Sequence, residues 1–187
     1  MNPFDAAFAI VVGSEGEYSN NPEDPGNWTA GKVGVGELRG TKFGISAAAF
    51  PTLDIPALTV EDAKRIYHLR YWMPISADAL PTLLAILLFD AAVNNGPFLA
   101  ATFLQAAVGT AQDGLIGPET IRATTHAVAC MGLARLCGEV SARRLLFMMK
   151  LPDWQVFGAG WAQRLSYLPF AATAALNGKP FSLSEHG

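Results

Sequence analysis

A glutamate stands where an apolar run gives way to a polar, glycine-rich loop. In Ser14-Glu15-Gly16-Glu17-Tyr18-Ser19-Asn20-Asn21-Pro22-Glu23-Asp24-Pro25-Gly26, Glu15 follows Val12, Val11 and Phe8 by three, four and seven positions. Phe4 lies four before Phe8. These steps trace one face of a helix. A carboxylate at the end of such a face loses solvation, which favours its protonated form. The negative end of the helix dipole pushes the same way. Both effects suit an acid that holds a proton near neutral pH and then donates it. The plainer reading is a solvated glutamate at a helix end, and from this position alone the two are even. Asp24 then follows nine positions on, with Thr29, the run Gly31-Lys32-Val33-Gly34-Val35-Gly36, and Thr41-Lys42-Phe43-Gly44-Ile45. A loop this long inside a domain is more often functional than idle. Asp24 has its own structural reading, as the turn-former before Pro25-Gly26.

The elements that must position these residues read as mainly α. A helix is expected over residues 4–16. Residues 17–46 read as loop, with a short hairpin around 32–43 in which Val33, Val35 and Phe43 form strands. Thr59-Val60-Glu61-Asp62 is a helix start, a threonine cap followed by acids. That helix is expected to reach about residue 71, with Ala63, Ile66, Tyr67 and Arg70 on its packing face. Leu80-Pro81 opens a very apolar segment through Val93 that reads as the central buried helix. Asp90 and Asn94 lie four apart on one face of it. Buried polar groups need partners, so this is either a hydrogen-bonding pair or a pair lining the cleft and touching Glu15 or the substrate. Further helices are expected over 98–108 and, as one or two, over 119–149. Between them Asp113-Gly114 marks a turn, and Pro118-Glu119 suits a first helical turn. Trp154, Phe157 and Trp161 precede a final segment.

Composition bounds the function. The 187 residues are 51% hydrophobic and 16% charged, which supports one sizeable globular core. The net charge of −3 comes with no basic stripe, which argues against nucleic acid as a partner. Acids gather near the candidate site: residues 1–80 carry ten acids and six bases, and residues 81–187 carry six and seven. The longest apolar stretch falls far short of the roughly 20 residues of a membrane span. Residues 139–150 mix basic side chains with Leu145, Leu146, Phe147 and Met148. A membrane-surface helix and a core-facing one both fit, and the core-facing one is preferred. Cys130 and Cys137 lie seven apart in what reads as one helix, about 10.5 Å along its axis, too far for a disulfide. They read as buried free thiols. His68, His126 and His186 are isolated and no metal motif occurs, so neither a metal nor any other cofactor is expected. No basic region precedes the first apolar run, so synthesis in the cytoplasm without a secretory signal is expected.

Taken in order, Glu15-Gly16-x-Tyr18-Ser19, Asp24-Pro25-Gly26, Thr41-x-x-Gly44-Ile45, Ile66-Tyr67 and Tyr71-Trp72 resemble glycoside hydrolase family 108, the N-acetylmuramidases of phage endolysins and bacterial muralytic export systems. Phe89-Asp90-x-Ala92-Val93-Asn94-x-Gly96, Leu104-Gln105, Asp113-Gly114-x-Ile116-Gly117-Pro118-x-Thr120 and Gly160-Trp161-x-x-Arg164 are similar to the peptidoglycan-associated region that follows in that family. The resemblance covers roughly residues 5–165. It implies a single lysozyme-like helical domain over 1–187, with a catalytic motif region over 4–92 and a helical peptidoglycan-associated region over 93–175. It implies cleavage of the β-1,4 bond between N-acetylmuramic acid and N-acetylglucosamine, with Glu15 as the catalytic acid. The order Glu, Asp, Thr in related phage-type lysozymes adds Asp24 and Thr41. Tyr18, Asn20, Asp90 and Asn94 are the expected substrate contacts. The chain departs from the family in having Glu17 where a second glycine follows the glutamate. Its longer loop between Gly26 and Thr41 leaves the threonine role open between Thr29 and Thr41. A lytic transglycosylase, a non-catalytic peptidoglycan-binding protein and a chitinase are the competing readings. The expected enzyme is a monomer that meets glycan strands after holin-assisted release.

Overall fold

The computed structural model describes residues 2–13 and 17–178. Its elements are α1 (Pro3–Val11), β1 (Thr41–Lys42), β2 (Ile45–Ser46), α2 (Val60–Tyr67), α3 (Thr82–Asn95), α4 (Pro97–Val108), α5 (Pro118–Met131), α6 (Leu133–Met148) and α7 (Trp154–Leu176). The protein is mainly helical with one small antiparallel sheet, as a lysozyme-like domain requires. Contacts group the chain into two compact units, one of Val11–Tyr67 and one of Met1–Ile10 with His68–Gly187. The motif-based boundary at 92/93 falls inside α3, which the contacts keep whole.

The larger unit is built around α3. Its residues from Leu84 to Ala92 are all buried, because the segment is apolar on every side and meets α4, α6 and α7. Phe4 of α1 packs edge-on against His68, Trp72 and Phe89. Trp72 closes a π-helical turn, His68–Trp72, and its indole N–H donates to Asp78 Oδ1 at 2.8 Å. Gln105 of α4 fixes the Asp113-Gly114 turn: its Nε2 donates to Asp113 Oδ1 at 2.6 Å, and its Oε1 accepts from the Gly114 N–H at 3.0 Å. The Leu115 N–H donates to the same Asp113 oxygen. These bonds, the backbone one first, hold the Asp113 carboxyl below its ordinary range.

The smaller unit is a loop with a clamp at its centre and α2 at its end. Thr59 and Asp62 form a reciprocal cap: the Asp62 N–H donates to Thr59 Oγ1, and Asp62 Oδ2 accepts from the Thr59 N–H and hydroxyl. Those bonds from Thr59 hold the Asp62 carboxyl below its ordinary range. The β1–β2 hairpin pairs Thr41 with Ser46 and Lys42 with Ile45. Its two turn residues, Phe43 (φ 52°) and Gly44 (φ 72°), are both left-handed, as the tight turn matched to strand twist demands. For Phe43 that conformation costs roughly 1–2 kcal/mol. Burial of its ring and a 3.0 Å hydrogen bond from the Tyr67 hydroxyl to its carbonyl offset the cost.

Four expectations need correction: the end of the first helix, the place of the hairpin, the shared helix of the two cysteines and the burial of Cys130. The first helix ends at Val11, not at residue 16. Gly13 takes φ 82°, which takes the chain out of helical geometry, so the helical face drawn from Phe4 does not extend through it. The hairpin lies at 41–46, and Phe43 is in its turn; Val33 and Val35 are exposed, in a loop whose arms are joined by isolated Lys32–Val35 and Trp28–Leu38 bridges. The helix from Thr59 does run to about the expected residue 71, α-helical to Tyr67 and then π-helical to Trp72. Of the one or two helices expected over 119–149, two form, broken at Gly132, so Cys130 and Cys137 sit on different helices rather than on one. Cys137 is buried, but Cys130 is exposed. Among the described residues no helix is long and apolar enough to cross a membrane.

Candidate active site

Glu15 lies outside the described residues. The loop that follows it is built around Asn27, a fully buried side chain. Asn27 Nδ2 donates to the Asn21 carbonyl at 3.0 Å, and Asn27 Oδ1 accepts from the Thr41 hydroxyl at 2.8 Å. Its carbonyl accepts from the N–H groups of Arg39 and Gly40. One asparagine thus joins the 21–27 turn, the 39–40 crossing and the start of β1. A buried amide left without those partners would cost free energy, so the loop closes around it.

Asp24 begins the 3-10 turn Pro25–Asn27, and its Oδ1 accepts from the Gly26 N–H at 2.8 Å. The residue is exposed, and its bond to Gly26 is the turn-forming contact. Thr41 pairs with Ser19 through two backbone bonds, of 2.8 and 2.9 Å. Thr41 is therefore tied both to Asn27 and to the strand-like segment carrying Tyr18 and Asn20. Thr29 has a different task. Its Oγ1 accepts from the Glu37 N–H at 2.9 Å, holding the outer arm of the loop.

Tyr18 and Asn20 are exposed. The Tyr18 ring packs so closely on Gly40 that a Cβ there would lie 2.5 Å from it. Tyr18 also lines an open groove of about 390 Å³ with Leu38, Arg39, Thr52, Asp54 and Pro56. The groove offers an aromatic face, a carboxylate and a guanidinium, the chemistry that receives a polar ring. Arg39 is anchored there by Glu37 Oε2 and the Pro51 carbonyl.

Asp90 and Asn94 belong to the larger unit. Asp90 is fully buried; its Oδ2 pairs with Arg144 of α6 and its Oδ1 with Arg164 of α7. Asn94 is exposed and donates to the Asp90 carbonyl at 2.8 Å. These bonds join the Asp90 and Arg164 motifs, seventy-four positions apart. Among the described residues no group of three or more His, Cys, Asp or Glu side chains is placed to hold a metal ion.

Residues 8–96 match the family model described as glycosyl hydrolase 108. A solved structure, that of Brucella abortus SagA, superimposes with a TM-score of 0.72 at 32% sequence identity, over 91% of this chain and 94% of that one. The chain belongs to the glycosyl hydrolase 108 family. No curated protein matches it. As a family 108 member it is a glycoside hydrolase, with peptidoglycan as the polymer it acts on. The family match spans the Asn27 loop and α3 and ends beside Asn95.

Three residues of consequence escaped the sequence reading. Asn27 looks like any turn asparagine in Pro25-Gly26-Asn27-Trp28, and nothing local marks it as buried. Arg144 follows Arg143 and reads as surface charge; only its place four after Val140 and four before Met148, both buried, signals the core face. Arg39 lacks any pattern that sets it apart.

Proposed function

We propose that the protein is an N-acetylmuramidase: it hydrolyses the β-1,4 bond between N-acetylmuramic acid and N-acetylglucosamine, with Glu15 as the general acid. Asp24 supports the positive charge that develops on the sugar or positions water, and Thr41 holds that water or the N-acetyl group. Tyr18 and Asn20 contact the glycan. The observation that carries this reading is the Ser19–Thr41 pairing with the Thr41–Asn27 bond. It gathers Thr41 and the Asp24 turn onto the segment that follows Glu15. Glu15 precedes Ser19 by four positions in the sequence, which supports assigning the three groups to one site. In this reading the enzyme meets the wall after release from the cytoplasm.

The reaction leaves a signature in its products. Digested sacculi are expected to yield muropeptides with reducing N-acetylmuramic acid ends, which borohydride reduces with a gain of two hydrogen atoms. Products that resist borohydride and lack one water relative to the hydrolysis products would assign the chain to transglycosylation, with Glu15 alone serving as acid and base. Mass spectrometry before and after reduction decides between them.

A further inference from the structure

A cavity of about 120 Å³ opens beside the buried carboxylate of Asp90. Asn94, Asn95, Arg144 and Arg164 form its polar side, and Met148 and Trp161 stand on its apolar side. No acid lines it. The Arg144 residue is only 4% exposed. Its Nε donates to Asn95 Oδ1 at 2.8 Å and its Nη1 to Asp90 Oδ2 at 2.5 Å. The hydrogen bonds of its guanidinium to described residues run through Nε and Nη1. Asp90 is also shared with Arg164, so one carboxylate faces two guanidinium groups. A desolvated guanidinium with donors to spare at the wall of a cavity favours an anion there. The Trp161 and Met148 side calls for carbon on that anion. The volume suits a carboxylate with a short substituent and is small for a sugar ring.

We propose that this cavity binds the C-terminal carboxylate of a short peptide, with Arg144 on the carboxylate and Met148 and Trp161 against the terminal side chain. Asp90 is then a positioning residue that orients the guanidinium groups. The inference rests on the peptidoglycan reading, since peptides with free C-terminal carboxylates hang from that polymer.

The test is calorimetric titration of the whole protein with acetyl-D-alanyl-D-alanine, with its C-terminal amide and with inorganic phosphate. The acid is expected to bind, and the amide to bind at least about tenfold more weakly, as loss of one charge-assisted hydrogen bond implies. Leu151→Trp, which fills the cavity while leaving every residue of the ion pairs in the chain, is expected to abolish binding with an unchanged circular dichroism spectrum. Arg144→Lys, which keeps the charge but loses the planar fork, is expected to weaken it about tenfold. Equal binding of acid and amide, undiminished binding by Leu151→Trp, displacement by phosphate at equal concentration, or no binding at all overturns the proposal. Should Leu151→Trp not fold, the acid–amide comparison on the unmodified protein decides. Cleavage of glycan strands stripped of peptide is measured alongside. Cleavage without peptide binding overturns the cavity alone; peptide binding without cleavage supports the cavity and overturns the N-acetylmuramidase reading.

Discussion

The hydroxyl of Thr41 donates to the side-chain oxygen of Asn27 across 2.8 Å, and the same asparagine donates to the Asn21 carbonyl. The threonine is thus held from inside the loop, while its backbone is held by Ser19. Thr41→Ala removes the bond to a buried acceptor, whereas Thr41→Ser keeps the donor. Thr41→Ala and Asp24→Ala are each expected to reduce activity on sacculi more than Thr29→Ala, and Thr41→Ser is expected to retain more activity than Thr41→Ala. Turbidity loss per mole of folded protein measures this. A larger effect from Thr29→Ala moves the threonine role to Thr29.

Glu15→Gln is expected to lose nearly all activity, by about 10²–10⁴-fold, with the fold unchanged. Glutamine keeps shape and hydrogen bonding but has no proton to give at neutral pH. Turnover of sacculi, read beside a thermal melt, tests the assignment; near-normal turnover in the folded variant removes Glu15 from the mechanism.

Gly44→Ala is expected to destabilise the protein, and Tyr67→Phe to do so by about 1 kcal/mol. A Cβ at Gly44 would lie 2.6 Å from the Tyr67 hydroxyl, at a backbone φ of 72°. Tyr67→Phe leaves the buried Phe43 carbonyl without its donor. The combined variant should lose less than the sum, since the shortened side chain clears the clash. Urea denaturation of the three variants gives the coupling.

Asp90→Ala is expected to cost about 3–5 kcal/mol, the usual penalty for breaking a buried ion pair by removing one partner. Asp90 lies at 0% exposure between Arg144 and Arg164, so its removal leaves the nearly buried Arg144 without its counterion. Denaturant unfolding measures the loss. A change under 1 kcal/mol would mean that the two arginines are neutralised by solvent rather than by Asp90.

The two thiols are expected to differ in reactivity. Cys130 is exposed, whereas burial pushes the Cys137 thiol up to about 11. At pH 8 little Cys137 is thiolate, the nucleophilic form. Iodoacetamide should add once to the native protein at Cys130 and a second time only after unfolding. The sign for stability follows: Cys137 ionises more readily in the unfolded chain, so its burial stabilises below the unfolded pKa, and that contribution is lost as pH rises towards 11. Peptide mass mapping after alkylation locates the modified residue.

What was legible in the sequence was periodic or capped. Leu83 to Val93 announced a buried helix by being apolar on all sides, and Thr59 and Pro118 marked true helix starts. What was not legible depended on tertiary partners. Phe43 has every local reason to be a strand residue, yet Tyr67, twenty-four positions on, helps hold it in a turn. Gly132 decides that 119–149 is two helices and not one, a choice that periodicity over those residues leaves open. Of the candidate site, the ordering of Asp24 and Thr41 along the loop could be read. The asparagine that links the loop could not, because burial of an amide is a property of the segments that close over it.

The Asn95 side chain, held through its oxygen by Arg144, is followed by a glycine whose N–H donates to the Ala92 carbonyl at 2.9 Å. Asparagine before glycine is the pair most prone to deamidation, which proceeds when that glycine nitrogen attacks the side-chain carbonyl. Here the nitrogen is engaged and the amide is tethered, so the fold shields this one site from that form of chemical ageing, unlike the exposed Asn177-Gly178 pair. Stored in denaturant, the Asn95-Gly96 dipeptide would acquire a new negative charge within reach of Arg144, and the refolded protein would carry a record of how long it had been unfolded.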